Sequence, residues 1–317
     1  MTDIKEVKIA RSSKREFECL LPNSGSIVKA ICLRELLKNE HLVVGDSVKI
    51  RPLKNDSRYE IFELIPRKNE IFRRIVRSNK KKVIASNVDV ILIIASVSKP
   101  DYKPFLIDRY ITRSVQWNIP AVIVFNKMDQ FYDQFDLPME KKKFDYLGIN
   151  HFEISNRESS AYFQNIKELR ELLKNKTAIC LGQSGVGKSK LISTLSQGQI
   201  ELLSSRLAKG IQKGAHTTTW AELIELDDFF MIDSPGVRTL SVSDISINEL
   251  PELFPDINQY FSKCQFKDCR HEENSKGCFF NQLDLDTDEG YIIYSRLVSY
   301  LKMREEVEAI PEWKRPN

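Results

Sequence analysis

The segment Gly182-Gln183-Ser184-Gly185-Val186-Gly187-Lys188-Ser189 constrains the fold most, because glycines at this spacing let the backbone wrap around a phosphate. The apolar stretch 177–181 before it predicts a strand, and the amphipathic pattern after it predicts a helix. In this setting, backbone N–H groups and the positive end of the helix surround the β-phosphate of a nucleotide. We therefore predict a phosphate loop in which Lys188 bridges the β- and γ-phosphates and the Ser189 hydroxyl is a ligand of Mg²⁺.

A second motif, Asn126-Lys127-Met128-Asp129, follows the apolar stretch 121–125 and lies before the phosphate loop in the chain. A carboxylate in the plane of a base accepts hydrogen bonds from N1 and N2 of guanine, and adenine has no such pair of donors. Asp129 is therefore expected to select GTP over ATP, with Lys127 covering the base and Asn126 bracing the loop. An exposed turn is the alternative for this quartet alone, but its pairing with a phosphate loop favours guanine recognition.

The order of the motifs is unusual, because in ordinary small GTPases the phosphate loop comes first. The third motif, Asp233-Ser234-Pro235-Gly236, follows the apolar residues 229–232. Asp233 is placed to hold Mg²⁺ through water, and the Gly236 N–H to contact the γ-phosphate. Base recognition, phosphate loop and magnesium-sensing segment in this order predict a circularly permuted GTPase.

The segment 213–219 lies between the phosphate loop and the third motif and contains three consecutive threonines. One of them is expected to ligate Mg²⁺, and the sequence does not say which. Val237 stands where Ras-type enzymes have a glutamine that orients water, so we expect slow intrinsic hydrolysis. Our hypothesis is that His216 positions the attacking water, and an ordinary loop histidine is the alternative. The predicted nucleotide-site residues are Asn126, Lys127, Met128, Asp129, Gly182, Gln183, Ser184, Gly185, Val186, Gly187, Lys188, Ser189, Lys190, Thr217, Thr218, Asp233 and Gly236, with His216 as the catalytic residue.

Charge is distributed unevenly along the 317 residues. Residues 1–82 hold 20 Lys and Arg against 11 Asp and Glu, whereas the rest of the chain has a deficit of positive charge. Short alternating stretches separated by turn residues predict a small β-barrel over residues 1–70, with an OB-fold as the nucleic-acid-binding candidate. Periodicity alone leaves other small barrels open. Residues 68–82 are interpreted as a basic connector, and a basic front end suggests contact with a polyanion.

From about residue 87, apolar runs alternate with helical patterns, which is typical of an α/β fold with a parallel sheet. The longest apolar run, residues 90–97, is too short to cross a bilayer, and the charged residues 1–17 are not a signal peptide. We therefore expect a cytoplasmic protein without a membrane segment, and a monomer. The predicted domains are a barrel over residues 1–70, a GTPase domain over 71–241 and a metal-binding domain with helices over 242–317.

Three of the six cysteines crowd into fifteen positions together with a histidine. Three thiolates and one imidazole suit tetrahedral Zn²⁺, and a filled coordination shell indicates a structural site rather than a catalytic one. Unrelated buried thiols are the alternative. The predicted zinc ligands are Cys264, Cys269, His271 and Cys278.

Taken together, the motif order, the segments 65–70 and 85–89, the residues 216–219 and the cysteine cluster make the chain resemble a bacterial family, ribosome small-subunit-dependent GTPase A (RsgA). The resemblance implies an N-terminal OB-fold, a permuted GTPase domain and a C-terminal zinc-binding domain. It also implies binding to the small ribosomal subunit and its rRNA in late maturation, and GTP hydrolysis stimulated by that subunit. Ser155-Asn156 departs from the Ser-Ala pair that is usual in the family, and Lys190 stands where a small residue is usual.

Several alternatives remain at this point. The chain could be a GTP-clamped rRNA-binding checkpoint module with negligible turnover, and Val237 favours that interpretation. A GTPase that acts on mRNA or tRNA is a further alternative, and an ATPase is disfavoured by Asp129. Other subunit maturation factors are additional candidate partners.

Overall fold

A computed structural model describes residues 4–13, 16–22, 25–33, 41–75, 80–197, 221–233 and 241–311 of the chain. The strands in these ranges are β1 Lys5–Ser12, β2 Glu16–Leu20, β3 Ile27–Cys32, β4 Ser47–Pro52, β5 Tyr59–Leu64, β6 Glu70–Ile75, β7 Lys80–Ser86, β8 Val90–Ser96, β9 Ala121–Asn126, β10 His151–Ile154, β11 Thr177–Leu181, β12 Glu222–Glu225 and β13 Phe230–Asp233. The α-helices are α1 Pro104–Gln116, α2 Leu137–Tyr146, α3 Asn165–Leu173, α4 Lys188–Leu195, α5 Pro255–Asn258 and α6 Asp288–Glu308.

The first five strands form a closed barrel in the order β1-β2-β3-β5-β4, with β4 pairing back to β1. Apolar and polar residues alternate along β1 and β4, so that one side chain of each pair points into the barrel. Ile9, Ile50 and Ile61 are fully buried at its centre. The OB-fold barrel expected from the sequence is confirmed.

Strands β6 and β7 form an antiparallel hairpin, so the basic connector expected over residues 68–82 includes β6 and the first residues of β7. Ile71 and Phe72 pack against the central core, whereas Arg73, Lys80 and Lys82 are exposed. The hairpin is stabilised because Ile71 and Phe72, within this otherwise basic segment, are apolar and are buried in the core.

The central sheet has the order β10-β9-β8-β11-β13-β12, and all neighbouring pairs except β12–β13 are parallel. Strand β8 is buried along its whole length, as expected for a parallel strand covered on both faces. Helices α1 and α2 pack on one face, and α3 and α4 pack on the other. The predicted α/β fold is confirmed.

The barrel and the central sheet are joined edge to edge. Strand β1 pairs antiparallel with β12 through Arg11 and Glu222, so that eleven strands form one continuous sheet. Arg11 also forms ion pairs with Glu222 and with Glu18, the latter at 3.2 Å. Backbone pairing and charge pairing therefore fix the barrel on the central sheet at the same place.

Residues 241–311 pack around the long helix α6, in the region where the sequence predicts helices. Val242, Leu250 and Phe254 are fully buried against this helix. The region has its own apolar core and also contacts α1 and α2. The boundaries after residues 70 and 241 stay predictions.

A buried network of charges holds α1, α2 and α6 together. The Arg296 guanidinium donates to Asp108 at 2.8 Å and to Asp256 at 2.8 Å. Lys143 Nζ lies 3.7 Å from Asp108, and the Ser299 hydroxyl also donates to that carboxylate. Burial alone would raise the pKa of Asp108, but the charges of Lys143 and Arg296 lower it below its ordinary value.

Candidate functional site

The phosphate loop begins where β11 ends, and two of its glycines are required by their surroundings. A Cβ atom on Gly182 would lie 2.4 Å from the backbone oxygen of Ile94, and one on Gly187 would lie 2.5 Å from Asn126 Nδ2. Both glycines have positive φ, 149° and 95° respectively. Helix α4 then begins at Lys188, as a phosphate loop requires.

Lys188 folds back over the loop. Its Nζ donates to the backbone oxygens of Gly182 and Gln183, both at 2.7 Å. The ammonium group therefore lies at the mouth of the loop, where a nucleotide phosphate would replace the carbonyl oxygens as a stronger, charged acceptor.

The quartet 126–129 contacts the phosphate loop directly, although about sixty residues separate them. Asn126 Nδ2 donates to Val186 O at 2.9 Å, and Lys127 Nζ donates to Gly185 O at 2.8 Å. Asn126 is fully buried, and Lys127 adopts a left-handed backbone with φ of 68°. The two motifs that the sequence separates thus form one site.

The carboxylate of Asp129 is held in place by the loop after β10. Ser155 Oγ donates to Oδ1 at 2.8 Å, and Arg157 Nε lies 2.9 Å from Oδ2. Only 11% of the Asp129 side chain is exposed. The resemblance to the family drew attention to Ser155, whereas Arg157 was missed, because nothing local to residue 157 marks it.

Asn156, the departure from the usual Ser-Ala pair, connects the two loops. Its Nδ2 donates to Asn126 Oδ1 at 2.9 Å, and Asn126 in turn binds Val186. Asn156 Oδ1 is buried and has no hydrogen-bond partner among the described residues. The Asn156 side chain therefore adds a hydrogen bond between the loop after β10 and the quartet 126–129.

A cavity of about 760 Å³ opens beside the phosphate loop, a size usual for small-molecule sites. It is lined by residues 182–185 and 187–190 of the phosphate loop and the start of α4, and by Leu106, Arg109, Tyr110 and Ser241. A second cavity of about 750 Å³ lies at the opposite edge of the sheet, beside Ala121 and Ile149. We assign the nucleotide to the first, because ligands of open α/β sheets bind at the carboxyl ends of the strands.

Asp233 is the last residue of β13, which runs parallel to β11 and ends at the same edge of the sheet. The charges of Asp233 and Lys188 both affect the pKa of the Cys180 thiol on β11. Burial and then the Asp233 charge raise the pKa of Cys180 to about 12, whereas Lys188 lowers it. Asp233 and Lys188 therefore both lie within electrostatic range of the Cys180 thiol. The predicted residues His216, Thr217, Thr218 and Gly236 lie outside the described residues, as does Val237.

The four predicted metal ligands converge, with all their ligand atoms within 4.8 Å of one another. Cys264 Sγ lies 3.4 Å from His271 Nδ1 and 3.9 Å from Cys278 Sγ. A tetrahedral site with Zn–S bonds of about 2.3 Å has sulfur–sulfur edges of about 3.8 Å, so the cluster fits zinc. Cys269 completes the set.

The surroundings of the cluster hold the ligands in position. His271 has a left-handed backbone with φ of 58°, a strained conformation for a residue other than glycine. The Phe261 ring stacks on the imidazole at 4.2 Å between ring centres, and the Phe279 N–H points at Cys264 Sγ at 3.5 Å. Such contacts orient metal ligands.

A model of the RsgA GTPase family matches residues 64–243, which is more than half of the chain. The chain belongs to the RsgA GTPase family. It is therefore a hydrolase that acts on GTP, and a guanine nucleotide is its ligand.

Relatives of this RsgA family member match over most of their length. The protein named small ribosomal subunit biogenesis GTPase RsgA from Bacteroides fragilis is 31% identical over 281 residues, which are 87% of each chain. Its namesake from Hahella chejuensis is 32% identical over 290 residues, covering 90% of this chain and 79% of the relative.

Two crystal structures have the same fold as this RsgA family member. YjeQ from Thermotoga maritima has a TM-score of 0.71 and 24% identity, covering 97% of this chain and 100% of its own. YloQ, described as a circularly permuted GTPase, has a TM-score of 0.71 and 24% identity, covering 97% and 96%. The permuted architecture expected from the motif order is confirmed. In the described part of this RsgA chain, the helices lack the length and apolarity needed to span a bilayer.

Proposed function

We propose that this GTPase binds the small ribosomal subunit through rRNA, acts in its late maturation and hydrolyses GTP faster when it is bound. The names of the relatives, which refer to small-subunit biogenesis, support the choice of partner. The contact between the base-recognition quartet and the phosphate loop, which itself lines the cavity, carries the enzymatic part of the proposal. A cytoplasmic monomer is part of the same proposal.

The nucleotide would lie across the two loops. Asp129 would accept from N1 and N2 of guanine, and Lys127 would cover the base. The phosphate loop would surround the β-phosphate, and Lys188 would contact the β- and γ-phosphates. Mg²⁺ would neutralise part of the negative charge of these phosphates. Ser189 would bind the ion directly, and Asp233 would bind it through water.

The remaining predicted residues belong to the same proposal. Thr217 or Thr218 would contact Mg²⁺, the Gly236 N–H would contact the γ-phosphate, and His216 would position the attacking water. Zn²⁺ would be structural, because three cysteines and one histidine fill its coordination shell.

The surplus of basic residues in the segment 1–82 supports rRNA as the part of the subunit that this protein contacts. Exposed basic side chains lie on the barrel and on the β6–β7 hairpin, namely Lys29, Arg51, Lys54, Arg73, Lys80, Lys81 and Lys82. Phosphate contacts of this kind give affinity that falls as salt concentration rises. An A-form RNA helix is recognised largely through its backbone and shape, which such a surface suits.

A GTPase assay titrated with purified small subunits tests this proposal. Wild-type turnover is expected to rise with small subunits and to be unaffected by large subunits, and Lys188→Ala should abolish it. Absence of stimulation would contradict the proposed activation. If tight GTP-dependent binding were nevertheless observed, the checkpoint module with negligible turnover, which Val237 favours, would replace the first interpretation.

A further inference from the structure

Arg109 is a cation in the nucleotide cavity that no sequence motif marks. It lies on α1 and lines the same cavity as Lys188 and Ser189. Only 16% of the side chain is exposed, so the guanidinium lies in the wall rather than in bulk water. A guanidinium is permanently charged and binds phosphate oxygens through two parallel hydrogen bonds.

The partner of Arg109 belongs to a different part of the molecule. Its guanidinium forms an ion pair with Glu306 on α6 and packs against the Phe105 ring at 4.8 Å. The Glu306 side chain is 42% exposed, and ion pairs with such exposure contribute little stability. A phosphate can therefore compete with Glu306 for this guanidinium.

The same end of α6 contacts the loop that carries the metal ligands. Arg304 Nη1 donates to Arg270 O at 2.7 Å, and Arg270 Nη2 donates to Glu308 at 3.0 Å. Arg270 lies between the ligands Cys269 and His271. Residues 304–308 of α6 thus contact both Arg109, which lines the nucleotide cavity, and the loop that carries the metal ligands.

We propose that Arg109 is a further catalytic residue, which leaves Glu306 and binds the γ-phosphate when GTP is present. This inference rests on the proposed function, because it deepens the reaction at the same site. Water attacks the γ-phosphorus, the bond to the β–γ bridging oxygen breaks with its electrons remaining on GDP, and the proton of the water passes to an oxygen of the inorganic phosphate that forms. Arg109 moves no proton, and its charge stabilises the negative charge that spreads over the γ-phosphate oxygens.

The exchange also gives the γ-phosphate an effect on the C-terminal region. When Arg109 turns to the nucleotide, Glu306 loses its partner, and the contact between α1 and the last turns of α6 weakens. GDP, which lacks the γ-phosphate, leaves the ion pair in place. Arg109 is thereby a point at which nucleotide state and the position of the metal-binding region are linked.

The test compares three variants without ribosomal subunits. Arg109→Ala is expected to lower basal GTP turnover by at least about 100-fold, since an arginine of this kind contributes about 10³- to 10⁵-fold. It should also reduce the preference for β,γ-imido-GTP over GDP by about 10-fold or more, with GDP affinity unchanged. Glu306→Gln should raise basal turnover about two- to fivefold, because it removes the competitor. Lys302→Ala is the matched control, because Lys302 packs on the same Phe105 ring and does not line the cavity.

Several results would overturn this inference. One is an Arg109→Ala protein with wild-type turnover, and another is a loss of GDP and β,γ-imido-GTP affinity by the same factor. A fall in turnover of Glu306→Gln equal to that of Arg109→Ala would exclude the exchange. Arg109→Lys, which keeps the charge without the planar fork, provides a second variant if the alanine protein does not fold. None of these measurements needs subunits, so they separate failure of this inference from failure of subunit stimulation.

Discussion

Replacing Asp129 by asparagine tests the assignment of the base site most directly. In the structure, this carboxylate is fixed by Ser155 at 2.8 Å and by Arg157 at 2.9 Å, and little of it is exposed. It is therefore positioned before the base arrives, with its remaining lone pairs available to the N1 and N2 hydrogens of guanine. The side chain of the Asp129→Asn variant would instead present an amide N–H₂ to one of these donors.

The expected loss follows from the two hydrogen bonds. Each hydrogen bond to a charged group contributes about 1.5–3 kcal/mol, so Asp129→Asn should weaken GDP binding by about 3–6 kcal/mol. This corresponds to a Kd that is about 10²- to 10⁴-fold higher. Xanthosine diphosphate carries a carbonyl at C2 in place of the amino group, so the variant should bind it better than the wild type does.

Calorimetric titration with GDP, ADP and xanthosine diphosphate, in the presence of Mg²⁺, measures these changes. Glu158→Gln is the matched control, because Glu158 is exposed on the same loop and should not affect any of the three affinities. A GDP affinity of Asp129→Asn within tenfold of the wild type would refute the reasoning, as would unchanged discrimination between the bases.

Three further predictions, the first with a control variant, test other parts of the molecule. Asp108→Asn leaves the buried Arg296 short of a carboxylate and should lower the free energy of unfolding in urea by about 3–5 kcal/mol. Asp227→Asn, which alters an exposed ion pair, should lower it by less than about 1 kcal/mol. Because the pKa of Asp108 is lowered on folding, its contribution is complete above the unfolded value of about 3.9 and is lost as pH falls through the folded value, so the two proteins should converge in acid. Elemental analysis should find one zinc per wild-type chain and less in Cys269→Ser, and chelation should lower Tm only for the wild type. Arg157→Ala should weaken GDP binding up to about fivefold at low salt and less at high salt, because it removes a cation that fixes the Asp129 carboxylate; tighter binding would instead show that Arg157 competes with the base for Asp129.

The central sheet could be predicted because its strands are buried on both faces. Such strands appear in a sequence as continuous apolar runs, and β8 and β11 lie where those runs are. Each motif then follows a strand end, so the convergence of residues 126–129 with 182–189 could be inferred before any coordinates. Local spacing also sufficed for the metal cluster, whose ligands lie within fifteen positions.

Other features could not be predicted, because their partners lie far away in the sequence. Strand β1 alternates charged and apolar residues, and it was not recognised within a strongly basic segment. The β6–β7 hairpin was not predicted for the same reason, because its many charged residues made the apolar residues Ile71 and Phe72 hard to recognise as part of a strand. Arg109 and Arg157 acquire meaning only through Glu306 and Asp129, which lie 197 residues away in the first case.

The pairing of β1 with β12 has a consequence for how the protein can be divided. An uncovered strand edge offers unsatisfied N–H and C=O groups to any neighbouring chain, and natural proteins shield such edges. Here strand β1 of the barrel pairs with β12 and so covers its edge. A shortened polypeptide that starts after the barrel should therefore self-associate through that edge, even though its own hydrophobic layers on both faces of the sheet are intact.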